Sequence, residues 1–147
     1  MKTIGTIFLS LLLFASPVFA DGASQPIEPF AAIQLAAAAA PEVVPGTFSL
    51  TIQATGTDKH ALYLNSEADY RDQRCLTIEI PKAAIPALQA KFGKDLEDYF
   101  QGKHLLVSGA AERVTVYFVL HHRVTKTYYY QTHILVESPE QLTVMAQ

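Results

Sequence analysis

The feature that most constrains this chain is a change of period. From Thr47 to Pro81 apolar residues recur at every second position, from Lys82 to Lys103 at every third or fourth, and after Lys103 at every second again. A period of two is that of a strand with one buried face, and a period near 3.6 that of a helix with one buried stripe. "TFSLTIQATGT" sets Phe48, Leu50, Ile52 and Ala54 against Thr47, Ser49, Thr51 and Gln53, and reads as one strand. "HALYLNS" reads as a second, after the turn signal "GTDKH"; "CLTIEIP" reads as a third, stopped by Pro81. In "KAAIPALQAKFGKDLEDYFQGK", Ile85, Leu88 and Phe92 have helical spacing, and Pro86 suits a first turn, where its missing N–H costs little. Gly93 then fits a helix stop, Asp95 the N-cap of a second short turn, and Gly102 its end. "KHLLVSGAAERVTVYFVLHHRVTK" reads as a long strand with a bulge or bend at Gly109, and "TYYYQTHILVES" as a fifth strand. "SPEQLTV" closes the chain, with Leu142 and Val144 able to pack back.

The first 46 residues have a different texture. Lys2, the apolar run "IFLSLLLFA" and "VFA" before Asp21 have the order of a secretory signal, predicting cleavage after Ala20 and a protein exported to the periplasm or the medium. The apolar run is short of the roughly 20 residues of a membrane span, so no stable membrane insertion is expected after cleavage. Residues 21–46 hold four prolines and an alanine block without a sustained apolar face, and read as a flexible tether; a helix over "AAIQLAAAAA" would be marginal in isolation. The remaining residues, 47–147, suffice for one domain.

Removing residues 1–20 takes away Lys2, leaving ten Lys and Arg against fourteen Asp and Glu, a net charge of 10 − 14 = −4. Such a chain has no global positive field to collect nucleic acid or anionic lipid, so any polyanion site must be local. Cys75 is the only cysteine, which excludes an internal disulfide and a thiolate metal cluster; at the head of an apolar alternation it reads as a small buried hydrophobe.

Three strands, a helix and two strands in about a hundred residues fit a mainly β, five-stranded Greek-key barrel of the OB type. "LYLNSEADYRDQRCLTIEIP" resembles the second and third strands of small bacterial OB domains related to the anticodon-binding type, "QGKHLLVSGAAERV" their fourth and "THILVESPEQLTV" their closing strand. The likeness runs from Thr47 to Val144. It implies a non-enzymatic binding module with a cleft between the loops joining strands one to two and four to five, and nucleic acid as ligand. Where those domains have a short turn before the last strand, this chain has the longer, aromatic-rich "VTVYFVLHHRVTKTYYYQ".

Three groups of residues bear on chemistry. Glu67, Asp69 and Asp72 form an acidic knot, but without the glycine of a calcium loop, and with Arg71 and Arg74 favouring the ionised carboxylates over acid–base use; the knot reads as a solvated turn. His60, His104, His121, His122 and His133 have no zinc-site spacing; His121 and His133 meet only if strands four and five pair closely. No nucleophile elbow or phosphate loop is present, and neither a metal nor a cofactor is called for. The third group is local and basic: from Tyr99 to His133 the charged residues are Lys103, Arg113, Arg123 and Lys126 against Glu112, or 4 − 1 = +3, interleaved with tyrosines. Alternation puts Tyr128 and Tyr130 on the core face with Ile134, and Tyr129, Gln131 and His133 outside. The expected ligand face is therefore Tyr63, Tyr70, Arg71, Arg74, Arg113, Tyr117, His121, Arg123, Lys126, Tyr129 and His133, binding single-stranded nucleic acid or another oligomeric polyanion. The alternatives are a periplasmic module for a protein or cell-wall partner and, more remotely, a histidine or metal-dependent hydrolase.

Overall fold

The computed structural model describes residues 25–146; the stretch read as an export signal lies outside them. The protein is mainly β. Its elements are α1 (Pro29–Ala39), β1 (Val44–Thr51), β2 (Ala54–Thr57), β3 (Ala61–Asn65), β4 (Leu76–Pro81), α2 (Ile85–Phe92), α3 (Leu96–Phe100), β5 (His104–Leu120), β6 (Arg123–Leu135) and β7 (Leu142–Val144). The strands form one sheet in the order β1-β5-β6-β4-β3-β2, with β7 beside β5. The β4–β6 pair is parallel and the others are antiparallel.

Period-two alternation does what it predicts in β1, β3 and β4. Phe48, Leu50, Leu62, Leu64, Leu76, Ile78 and Ile80 face inward and are essentially inaccessible, as is Ile52 just past β1. Leu88 of α2 and Leu96 and Phe100 of α3 cap this core, so the helical segment sits between the third and fourth expected strands. Pro86 lies in the first turn of α2, Gly93 ends it at φ 107°, and the Asp95 carboxylate accepts the Asp98 N–H at 3.2 Å. Cys75 is buried, with Sγ 3.7 Å from Thr77 Oγ1.

The strand count differs from five. The first expected strand is broken at Ile52–Gln53, where the Ile52 N–H donates to Lys103 O and the Gln53 N–H to Asn65 O. Consecutive amides thus turn to different neighbours, and the chain passes from the β5 side to the β3 side. With β7 added there are seven strands, and the hydrogen-bonded ladder ends at β1 and β2 instead of closing.

From Ile27 on, the segment expected as a tether is packed. Ile27 pairs with the start of β1, its N–H donating to Thr47 O and its carbonyl accepting from the Ser49 N–H. Ala32 and Ala36, four residues apart on one face of α1, are fully buried. Alanine gives this helix no amphipathic signature, yet its small side chains allow close approach to β1 and β5. Nor does Gly109 mark a bulge: it lies in a regular ladder opposite Gly46. A Cβ there would stand 2.8 Å from Ile134 Cγ2, and one on Gly46 would stand 2.9 Å from Ile27 Cδ1. Both glycines make room for isoleucines. The register between β5 and β6 shifts between the Tyr117–Tyr128 and Val119–Val124 pairs, where β6 carries two residues more than β5.

β5 and β6 outrun their neighbours. β1 pairs with β5 only as far as Ala111, and β4 with β6 only from Thr132. The remaining rows form a two-stranded arm, closed by His121 and His122 at φ 49° and 61°, the signature of a type I′ hairpin turn.

Candidate functional site

The outward face of β3, β4 and β6 carries the residues that alternate with the core set. Asn65 stands opposite Thr77, Thr77 beside His133, and Tyr63 opposite Glu79. A cleft of about 670 Å³ lies over them, within the roughly 300–1,000 Å³ of ordinary ligand sites. One side is made by β2 and Asp58, the other by Val116, Tyr129 and Gln131, and Ala68 and Tyr70 of the β3–β4 connection close one end.

A chain of hydrogen bonds fixes this surface. His133 Nδ1 lies 2.8 Å from Glu79 Oε2 and Nε2 lies 2.8 Å from Gln131 Oε1. The Gln131 amide nitrogen donates to the Tyr70 carbonyl and to Tyr129 Oη, each at 3.1 Å. Because a backbone carbonyl only accepts, it orients the Gln131 amide, leaving Oε1 to accept from His133. Both imidazole nitrogens are thus engaged with oxygen atoms. Tyr63 packs edge-on to His133, with ring centroids 6.3 Å apart; burial, followed by the charges of Asp58 and Glu79, pushes its phenol above the ordinary tyrosine range.

Asp58 enters through local turn chemistry. Its Oδ1 accepts the N–H groups of His60 at 2.7 Å and Ala61 at 2.9 Å, and its Oδ2 accepts from Tyr63 Oη at 3.4 Å. The Ala61 and His60 N–H groups, in that order, hold its carboxyl below the usual carboxylate range, so the cleft mouth carries a fixed negative charge.

The expected site residues do not form one surface. Tyr63, Tyr70, Tyr129 and His133 line the cleft. Arg71 and Arg74 lie in the β3–β4 connection, but each is engaged by the carboxylate two residues before it. Asp69 accepts from Arg71 N, Nε and Nη2 at 3.0–3.2 Å, and Asp72 from the same three atoms of Arg74 at 2.8–3.1 Å. The acidic knot is thus two successive Asp-x-Arg clasps. The Arg74 guanidinium, then its N–H, pulls the Asp72 carboxyl down to about 2. Arg71 also covers the Tyr70 ring at 5.6 Å.

Arg113 and Tyr117 lie on the other face of the arm, the one shared with Ala111 and Ile134. There the Arg113 guanidinium stacks 4.4 Å from the Tyr130 centroid, and Tyr128 contacts both Tyr117 and Tyr130. Tyr128 and Tyr130 do share the core face, as expected, but are about half exposed because the arm extends past the core. His121, Arg123 and Lys126 are at the arm's end.

The histidines disperse. His133 faces Glu112 across the arm's base while His121 is in the turn, nine residues along β5 and so roughly 30 Å away at strand rise. His104 bridges Ser49 and Thr51 at 2.9 Å each, and His60 sits in the β2–β3 turn. Among the described residues no group of three or more His, Cys, Asp and Glu side chains converges to hold a metal ion.

Comparison of the chain with protein-family models, with curated proteins and with solved structures returns no match.

Proposed function

We propose that this protein is an exported, OB-like binding module whose cleft takes a neutral, polyhydroxylated ligand such as a segment of an oligosaccharide. The OB reading is supported by counting β1 and β2 as two halves of one bent strand: the succession β1/β2–β3–β4–β6–β5 then returns to β1, with the third and fifth strands of the five parallel. The ligand class rests on one observation: the cleft is lined by three tyrosines together with Asp58, Asn65, Gln131 and His133, and by no lysine or arginine. Sugar rings offer C–H faces to aromatic rings and paired hydroxyls to planar amides and carboxylates. A polyanion needs cations to neutralise its phosphates, and here it would meet the charge of Asp58. A non-catalytic role is favoured by His133, whose two ring nitrogens are already committed to Glu79 and Gln131.

The test is titration with a panel of neutral oligosaccharides, with single-stranded oligonucleotide as the competing ligand. Binding that is insensitive to salt and falls at least about tenfold in Tyr129→Ala, the loss of one good stacking contact, supports the reading. Oligonucleotide binding that weakens steeply with salt and vanishes in Arg123→Ala/Lys126→Ala, with no sugar bound, overturns it and moves the site to the arm.

A further inference from the structure

We propose that the β5–β6 arm is an interfacial anchor that docks this protein on an anionic lipid surface. Just behind its His121–His122 turn the arm carries aliphatic side chains on both faces. Val119 and Val124 pair across one face, Leu120 points to the other, and the three are 64%, 69% and 62% exposed. Behind them stands a collar of aromatics on both faces, half-exposed Tyr117 and Tyr128 on one and, on the other, half-exposed Phe118 packed on the more buried Tyr129. A groove on a protein covers one face of a ribbon, whereas lipid surrounds both. Beneath a polar tip of His121, His122 and Arg123, which would sit among headgroup and water, the aliphatic residues are followed by tyrosine and phenylalanine in the order from acyl chain to headgroup. Two to three residues separate Leu120 from the collar, or roughly 7–10 Å at strand rise. That suits burial at the headgroup boundary, about 5–10 Å deep, and is far short of the roughly 9–11 residues of a spanning strand.

Charge selects the surface. From Arg113 to Val136 the chain contains three cations and no carboxylate, although the whole protein is acidic. Arg123 and Lys126 flank the apolar end, where they meet anionic headgroups. Two copies meeting through their arms would bring like charges together.

The chain has no tryptophan, so Leu120→Trp, at an exposed position, makes a single reporter in the full chain. With phosphatidylcholine–phosphatidylglycerol vesicles its emission should shift to the blue and be quenched by brominated acyl chains. Arg123→Ala/Lys126→Ala in that background should weaken vesicle binding of the arm about thirtyfold, from about 1 kcal/mol per basic residue, with unchanged far-ultraviolet circular dichroism. Attachment through any other segment leaves the reporter in water. Emission unmoved at saturating lipid, a blue shift caused only by self-association without vesicles, or a response to oligonucleotide in place of lipid would each overturn the proposal.

Discussion

Ala111 and Tyr117 occupy the same face of the same strand, six residues apart, yet Ala111 is fully buried and Tyr117 is half exposed. Ile134 and Tyr128 repeat the contrast on β6. Alternation decides which way a side chain points. Whether it is buried depends on what lies beneath, and beyond Arg113 and Thr132 no described residue of the core lies under that face. One hairpin is therefore part of the core at its base and an apolar surface at its end.

The contrast can be broken most forcefully by truncation at the base. Ile134→Ala should cost about 2–5 kcal/mol in chemical denaturation, whereas Tyr130→Ala, four residues earlier on the same face, should cost under about 1 kcal/mol. Equal losses would mean that the arm is packed against something. Gly109→Ala should destabilise by about 1–3 kcal/mol, because the new methyl meets Ile134 Cγ2 at 2.8 Å; Gly56→Ala, with open space at its Cβ, should not show that overpacking cost. A third effect lies in the β3–β4 connection. Asp72 has its folded carboxyl lowered from 3.8 to about 2, so its clasp contributes fully above pH 3.8 and is lost as pH falls through about 2. Nuclear magnetic resonance titration should place that midpoint near 2 in the native protein and move it toward 3.8 in Arg74→Ala; an unmoved midpoint would assign the shift elsewhere. The smallest effect belongs to the arm's turn. His122 at φ 61° bears a left-handed cost of about 1–2 kcal/mol that glycine avoids. His122→Gly should therefore slow hydrogen exchange of the arm amides while leaving global stability within about 0.5 kcal/mol.

The strand and helix pattern was legible because Phe48, Leu62, Ile78 and Leu88 each repeat at the period of their element, and Pro86, Gly93 and Asp95 punctuate them with specific backbone chemistry. A helix over α1 was readable from its alanines, but its packing was not, because Ala32 and Ala36 bury a face that carries no hydropathy contrast. The break at Ile52–Gln53 was hidden because side-chain alternation continues through it while the amides change partner. At the cleft, alternation located Tyr63, Tyr129 and His133. The engagement of Arg71 and Arg74 by neighbouring aspartates kept them from serving as free cations. Asp58 was overlooked as a turn residue, although Asp followed two and three residues later by N–H groups that it caps is a legible motif. Glu79 was hidden in a strand, where only the parallel pairing of β4 with β6 brings it to His133.

Gly46 and Gly109 face each other in the β1–β5 ladder, and the side chains that fill the space before them come from Ile27 and Ile134. These four positions should drift together over evolutionary time: an alanine at either glycine becomes tolerable only once its isoleucine has shrunk. Ile27→Val, which removes the Cδ1 that a Cβ on Gly46 would meet at 2.9 Å, should therefore partly rescue Gly46→Ala. Ile27 belongs to that quartet, so a chain trimmed to begin at Thr47 would lose part of the interior along with its leading segment.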